Sequence, residues 1–337
     1  MFSEKKKDKF LPEFDLSILR LTVQSLFCLF TLYIGYRFYL FFFWATEGGG
    51  YVPRPPAVEG FLPISALLGL KRFLHTGSYD LIHPAGLTIF LAALFLSVLL
   101  RKGFCGWICP VGFVSNLAEK AGKLWGARHR PPLWIDYSLS PVKYLLLLFF
   151  IFIIFIRMDL SSVEIFLRSP FNLAADAKML NFFLDPSPVA AAILFLLAAS
   201  SLVLPNPWCR YFCPYGALLG LVAFLGPVQV KRNQEKCIDC KKCEAVCPAA
   251  LGIPRKKTIR NPDCIGCMEC INVCPQENCL TTSVAGKNIS PLLIPLGTVG
   301  LFLFIWVLAR QTGFWESSIS PVIFKKSYHL ATILLPS

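Results

Sequence analysis

Charged residues are scarce in this sequence. Asp, Glu, Lys and Arg make up 16% of its 337 residues, whereas 55% of the residues are hydrophobic. A soluble domain is closer to half apolar and a quarter charged, so the composition argues against an ordinary soluble enzyme and favours a membrane protein. The length predicts about two domains, and we expect a membrane part and a small soluble part.

Acidic residues are fewer than basic ones. The sequence has 20 Asp and Glu residues and 33 Lys and Arg residues, which gives a net charge of +13. In a soluble protein this surplus would suggest nucleic acid as a partner. Here the basic residues lie in loops that flank apolar runs, which is where the positive-inside bias of membrane proteins places them. We therefore expect membrane lipid as a partner and no nucleic acid.

Histidines are few, and none lies deep in an apolar run. The four are His75, His83, His129 and His329. A b-type haem between helices needs two facing histidines at membrane depth, and a c-type haem needs Cys-x-x-Cys-His, which does not occur. His83 opens an apolar run near Tyr79 and Asp80, where it would either meet a quinone head group or cap a helix. No dinucleotide, Walker or Ser-His-Asp signature supports nucleotide or hydrolase chemistry.

Long polar stretches are absent from most of the chain, and five apolar runs predict membrane spans. They cover residues 16–44, 84–100, 142–156, 188–204 and 289–309. The apolar segments 61–74 and 215–230 are too short or too rich in glycine and proline to span, so we expect them at the interface. The basic loops 101–143 and 210–287 would then share the cytoplasmic side with the N-terminus, and the acidic loop 158–187 would lie outside.

Cysteine, in contrast, is abundant. Twelve of the 14 cysteines form four groups, and each group ends in Cys-Pro. The runs that begin at Cys237 and Cys264 have the spacing Cys-x2-Cys-x2-Cys-x3-Cys-Pro, in which three cysteines hold one [4Fe–4S] cluster and the fourth ligates the other cluster. The predicted ligands are Cys237, Cys240, Cys243 and Cys274 for the first cluster, and Cys264, Cys267, Cys270 and Cys247 for the second. Two zinc sites are the alternative, but zinc knuckles often include histidine and this segment has none.

Two further pairs, Cys105/Cys109 and Cys209/Cys213, share the spacing Cys-x3-Cys-Pro and lie 104 residues apart. A spacing of four places both thiols of a pair on one face of a helical turn. Each pair follows a predicted helix that runs towards the cytoplasm, so a duplicated helical hairpin would bring both pairs to the same membrane face. The four cysteines would hold a third cluster or a metal ion, act as redox dithiols, contact a partner, or pack as small apolar side chains. We favour a shared metal site.

These patterns predict a mainly α-helical, polytopic membrane bundle of about five spans with an inserted, small α+β ferredoxin-like domain that holds two clusters. Residues 1–230 would form the membrane domain with both Cys-x3-Cys-Pro motifs. Residues 231–285 would form the cytoplasmic ferredoxin-like domain, and residues 286–337 the final span and a short tail. Because most cysteines of the middle domain are committed to clusters, that domain should fold only around its metal.

The paired motifs GFCGWICPVG and PWCRYFCPYG, followed by two ferredoxin runs, resemble the NapH/MauN group of membrane ferredoxins. Related membrane modules occur in NosR and in the CcoG/FixG/RdxA proteins, and the resemblance covers about residues 80–280. It implies a multi-pass protein of the bacterial inner membrane, of the quinol-dehydrogenase or electron-transfer type. It also implies a periplasmic or membrane redox partner, such as a multihaem cytochrome or a ferredoxin-like protein. The predicted span 289–309 goes beyond the usual NapH plan.

Three classes of function fit these observations. The leading hypothesis is quinone-linked electron transfer, in which quinol or quinone reacts in the membrane part and the ferredoxin segment connects it to a redox partner. The chain would then be an electron-transfer subunit of a quinol dehydrogenase. The alternative is an assembly or metal-reducing maturation factor that uses the Cys-x3-Cys-Pro cysteines on a partner metalloenzyme. A redox-sensing or anchoring subunit is the third hypothesis.

Overall fold

The computed structural model describes residues 15–126 and 131–334. Most of these residues are helical, because an apolar run in lipid must satisfy its backbone N–H and C=O groups within itself. The helices of the first half are α1 (Leu16–Thr46), α2 (Pro63–Thr76), α3 (Pro84–Leu100), α4 (Pro110–Leu124), α5 (Leu133–Leu139), α6 (Val142–Ile151), α7 (Leu160–Leu167) and α8 (Pro170–Leu173). Those of the second half are α9 (Ala175–Leu184), α10 (Pro188–Val203), α11 (Pro214–Leu225), α12 (Lys242–Ala245), α13 (Glu269–Asn272), α14 (Leu293–Thr312) and α15 (Pro321–Leu334).

The predicted spans coincide with helices, but their lengths differ. In the described ranges, three helical segments are long and apolar enough to cross a membrane: Leu16–Thr46, Trp134–Arg157 and Leu293–Thr312. A fourth span results if α9 and α10, which bend by 75° at their junction, are counted as one. The prediction of about five spans is therefore reduced to three or four by length, because the 17 residues of α3 fall short of the ~20 that a span needs.

Helix α3 lies at the centre of the bundle. It packs against α2, α11 and α14, and Ala85, Leu87 and Leu96 are completely buried. A helix that is apolar on all sides and enclosed by other helices belongs to the interior of the protein. The short length of α3 is therefore compatible with its position, since neighbouring helices rather than lipid surround it.

The two segments predicted at the membrane interface are helical. Residues 61–74 fall mostly in α2, which packs on α3 and α7. Its buried Lys71 donates to the backbone carbonyl of Ile154 at 2.9 Å. Residues 215–230 form α11 and then enter a strand, because Gly226 and Pro227 end the helix.

A small antiparallel sheet forms the α+β part. Its strands are β1 (Val228–Arg232), β2 (Thr258–Ile259), β3 (Leu280–Val284) and β4 (Lys287–Ile289), in the spatial order β2-β1-β3-β4. Val230 pairs with Ile259 on one side and with Thr282 on the other. Apolar residues of the sheet pack on Met268 and on Ile294 at the start of α14, so the sheet rests on the helical bundle. The expected mainly α-helical membrane protein with a small α+β insertion is thereby confirmed.

The predicted short tail contains a helix. Helix α15 packs against α1 and α8, with Phe324 2% exposed and Tyr328 fully buried. The aromatic rings of Phe38 and Phe41 in α1 contact Tyr328 edge to face. The run is too short and too polar to predict a span, and its docking depends on partners that are distant in sequence.

Candidate functional site

The first four predicted cluster ligands lie together. Cys237, Cys240 and Cys243 from the first run and Cys274 from the second line one small cavity beside the sheet. The loop turns back on itself through Lys241, which has a positive φ of 56° and precedes α12. Cys240 is the exposed member of the set, so this cavity lies near solvent.

The second four ligands line a separate cavity. Cys264, Cys267 and Cys270 from the second run meet Cys247 from the first. Burial raises the pKa of the Cys247 thiol to about 12 and that of the Cys267 thiol to about 11. Cysteine binds metal as a thiolate, so such buried thiols ionise when a metal cation compensates their charge.

The two cavities fit the donor sets of two [4Fe–4S] clusters. Each is lined by four cysteines of the two runs, three from one run and one from the other, which is the exchange that two-cluster ferredoxins use. Among the described residues, no three His, Cys, Asp or Glu side chains converge on a point where they could hold a single metal ion. Cys279, which belongs to no motif, also lines the first cavity, and its thiol is 3.6 Å from the carbonyl oxygen of Asn233.

The two Cys-x3-Cys-Pro motifs have the same local structure. In each motif a π-helical turn, Phe104–Ile108 or Trp208–Phe212, follows the helix, and a proline then starts the next helix. The last cysteine of each motif donates its N–H to the carbonyl at the start of the turn, and both bonds are 2.9 Å long. The sequence repeat is therefore a structural repeat, although the turn is a π-helix where the spacing predicted an α-helix.

The two repeats interlock. Helix α4, which follows the first motif, packs against α10 of the second repeat. Helix α11, which follows the second motif, packs against α3 of the first repeat. Because each repeat packs against a helix of the other repeat, the two cysteine turns lie at the same end of the bundle.

All four cysteines of these motifs line one large cavity of about 1060 Å³. Burial raises the pKa of the Cys105 thiol to about 12; nearby Lys102 opposes this shift, and the Cys109 and Cys213 thiols add to it. Burial also raises the pKa of the Cys209 thiol, and the nearby thiols of Cys109, Cys213 and Cys105 add to this shift. The four thiols thus lie within electrostatic reach of one another.

Most of the wall of this cavity is apolar. Phe30, Leu67, Phe150, Phe302 and Trp306 line it between the helices. Its polar residues include Lys102, Asn206, Arg210 and Asp263, which come from the cysteine turns and from the segment before Cys264. A concave, mainly apolar site with a few polar groups is the usual form of a binding site for a small organic molecule.

The cavity adjoins the second cysteine site directly. Asp263 and Ile265, on either side of Cys264, line it, and so does Pro248, which follows Cys247. The first cysteine turn is also fixed to this site. The guanidinium Nε of Arg20 in α1 donates to the carbonyl of Gly106 at 3.2 Å, while its NH1 pairs with Glu269 of α13 at 3.2 Å.

His83 lies in a different place. Its Nδ1 is 3.3 Å from Glu59 and its Nε2 is 3.0 Å from the carbonyl oxygen of Asn172, and all of these groups are buried. The guanidinium of Arg54 is 2.6 Å from Glu59 and 2.6 Å from Asp176. His83 does not line the large cavity. No sequence pattern indicates this charge cluster, because Arg54 and Glu59 belong to a segment rich in glycine and proline.

Comparisons with known proteins agree with the cysteine pattern. A family model described as "4Fe-4S binding domain" matches residues 82–131 and 186–232, and one described as "4Fe-4S dicluster domain" matches residues 229–275. The chain is 36% identical to the putative electron transport protein YccM of Escherichia coli (strain K12) over 91% of this chain and 88% of that protein. It is 30% identical to the methylamine utilization ferredoxin-type protein MauN of Methylorubrum extorquens over 56% of this chain and 62% of that protein.

A third relative is the ferredoxin-type protein NapH of Haemophilus influenzae, which is 28% identical over 50% of this chain and 55% of that protein. No solved structure matches the chain.

Proposed function

Since the chain belongs to the NapH/MauN family of membrane ferredoxins, we propose that it exchanges electrons between the quinone pool and a redox partner. The resemblance predicted from the motifs is confirmed by the matches to YccM, MauN and NapH. The chain is accordingly a membrane-associated iron–sulfur protein of electron transport. The quinone link, the number of clusters and the partner are the content of the proposal.

The observation that carries the proposal is the cavity of about 1060 Å³. A quinone has a long apolar tail and a polar ring, and its site must lie within reach of lipid. This cavity lies between apolar helices and ends at the two cysteine turns, next to residues that flank Cys264 and Cys247. A quinone bound there would place its ring beside the second cysteine site.

The two ferredoxin sites differ in their surroundings. Residues next to the second site line the large cavity, whereas the first site lies apart and includes the exposed Cys240. When bound, the two clusters carry one electron each, which together match the two electrons that one quinol releases with two protons. In this proposal the second site exchanges electrons with the quinone, and the first site exchanges them with the partner.

The four Cys-x3-Cys-Pro cysteines are proposed to hold a third [4Fe–4S] cluster. Each motif falls in one of the two segments that match the "4Fe-4S binding domain" model, residues 82–131 and 186–232. The four thiols line the same cavity and interact electrostatically, as four ligands of one cluster must. A dithiol pair or a site for another metal is the competing assignment.

The sheet is proposed to face the cytoplasm of a bacterium, with the helices in the inner membrane. Three helices contact the ferredoxin part at this face. They are α1 through Arg20 near its start, α3 through Arg101 at its end, and α6 through Lys143 near its start. The loops at this face carry the basic residues that the positive-inside bias retains in the cytoplasm. The partner at the first site would be a membrane redox protein or a ferredoxin-like protein, whereas a periplasmic partner such as a multihaem cytochrome would exchange electrons with the chain through quinol.

The test is an iron count and EPR spectroscopy on the full chain, purified without oxygen in detergent. Three clusters give about twelve irons per chain, and we expect the reduced-cluster signals to grow or fade when a quinol analogue is added. A count of about eight irons per chain would contradict the third cluster and would leave the proposed quinone link standing. Clusters that dithionite reduces but quinol and quinone leave unchanged would contradict the quinone link and favour the maturation factor. Zinc in place of iron would contradict the whole proposal.

A further inference from the structure

Lys102 is a buried lysine at the wall of the large cavity. It follows α3, is 3% exposed and lines the cavity beside the first cysteine turn. Within residues 15–126 and 131–334, its ammonium group forms no hydrogen bond or ion pair. Lysine is almost never fully buried without a partner, because burial of an uncompensated charge is costly. The ammonium group of Lys102 is therefore a donor at the cavity wall.

Asn206 and Arg210 line the same wall, but the protein holds their polar groups. Oδ1 of Asn206 and NH1 of Arg210 have no hydrogen-bond partner among the described residues, and both atoms are shielded from the cavity. The amide nitrogen of Asn206 donates to Oδ1 of Asn116 at 3.0 Å and to the carbonyl of Pro248 at 3.3 Å. These two bonds fix the orientation of the amide, so its oxygen remains as an acceptor.

Arg210 is held in a similar way. Its NH2 pairs with Asp136, and its side chain is 9% exposed. Of these three side chains, Lys102 is therefore the one at the cysteine end of the cavity whose polar group has no protein partner among the described residues.

We propose that Lys102 marks the head-group subsite of the cavity, where it donates a hydrogen bond to a ring oxygen of the quinone. This inference rests on the proposed quinone link and names the residue that binds the ring. A quinone oxygen can only accept hydrogen bonds, whereas a quinol hydroxyl can also donate one. Lys102, which can only donate, therefore suits the oxidised form.

The apolar part of the same cavity favours a quinone over a small anion. An inorganic anion would use the cationic donor but would leave the long wall of Phe, Leu and Trp side chains unfilled. A lipid-soluble ring with an apolar tail uses both parts. The position of Pro248 and Asp263 in the same wall places the ring next to the second cysteine site.

The test is calorimetric titration of the anaerobically purified full chain with decyl-benzoquinone. The variants are Lys102→Met, which removes the charge at similar volume, and Lys102→Arg, which restores it. Lys123→Met is the matched control, because Lys123 is exposed on α4. We expect Lys102→Met to raise the Kd about tenfold or more, as the loss of a charge-assisted hydrogen bond would. Lys102→Arg should recover most of the affinity, and Lys123→Met should bind as the unaltered chain does.

Iron content and the EPR spectrum of the dithionite-reduced protein are measured on every variant. If Lys102→Met binds the quinone as tightly as the unaltered chain, the inference is wrong while the proposed function stands. A changed EPR spectrum with an unchanged Kd would assign Lys102 to the cysteine site instead and would also overturn it. If the unaltered chain binds no quinone, the proposed function itself fails. Should Lys102→Met lose iron, Lys102→Gln is used, and the same rise in Kd is required of it.

Discussion

The indole Nε1 of Trp107 donates a hydrogen bond of 3.0 Å to the carbonyl oxygen of Gly266. Trp107 lies between the two cysteines of the first Cys-x3-Cys-Pro motif, and Gly266 lies between Cys264 and Cys267 of the second ferredoxin run. Trp107 is completely buried, so the bond is shielded from water. Two cysteine motifs that are about 160 residues apart in sequence are thus joined through their own backbone and side chains.

Gly106 lies at a close contact between the two motifs. A Cβ atom at this position would collide with the backbone carbonyl oxygen of Ile265. We expect Gly106→Ala to lower the free energy of unfolding by about 1–3 kcal/mol, because the turn must move away from the second site. Reduction by quinol should slow, while reduction by dithionite should not. Thermal unfolding and stopped-flow absorbance measure the two effects.

The control for this change is Gly35→Ala in α1, where a Cβ would meet no atom within 4 Å. It should leave both the stability and the quinol rate close to those of the unaltered chain. A Gly106→Ala variant that behaves like Gly35→Ala would show that the close contact between the motifs has no role in stability or electron transfer.

The exchange of the fourth cysteine between runs gives a second prediction. We expect Cys274→Ser to lose the same EPR signal as Cys237→Ser, because both cysteines line the first cavity. Cys247→Ser should instead match Cys264→Ser, since both line the second. Each change should remove up to about four irons per chain. If Cys274→Ser matched Cys264→Ser, each run would hold its own cluster and the assignment would be wrong.

The sequence was sufficient for the parts of the fold that depend on local spacing. The cysteine runs predicted which four cysteines meet in each cavity, and the repeated motif at Cys105 and Cys209 predicted a repeated structure. Helix α15 and the partnerless Lys102 could not be predicted in the same way. Their roles depend on contacts between distant segments, and a single lysine in a basic loop looks no different from its neighbours until the packing is known.

The buried charge cluster around His83 predicts a pH dependence of stability. Burial by itself lowers the pKa of His83, but the close carboxylate of Glu59, 3.3 Å from Nδ1, and its charge raise it, and the net pKa lies above the ordinary value. Arg54 opposes this shift, and Asp176 adds to it. A raised pKa stabilises the folded state fully below the unfolded pKa of about 6.5, and this contribution is lost as the pH rises through the folded pKa.

We therefore expect the melting temperature to fall as the pH rises above about 6.5, and His83→Gln to reduce the part of this slope that the histidine supplies. The buried Asp80 also faces His83, and burial raises its pKa. His75→Gln is the matched control, because His75 is exposed. Melting curves of the three proteins between mildly acidic and mildly alkaline pH measure the effect. Equal slopes for His83→Gln and the unaltered chain would mean that His83 does not carry the charge.

The four Cys-x3-Cys-Pro cysteines decide the number of clusters. If they ligate a third cluster, Cys213→Ala should remove about four irons per chain, because a cubane that loses one of its four thiolates is held poorly. Cys105→Ala should have the same effect, since both thiols line one cavity although they come from different repeats. Cys28→Ala, a change in the middle of α1, is the control and should leave the iron count unchanged. An undiminished count in Cys213→Ala, with two thiols per motif that react with an alkylating reagent, would make the motifs dithiols. The interlocked hairpins would then bring the four thiols together for thiol–disulfide exchange with a partner, and not for ligation of a cluster.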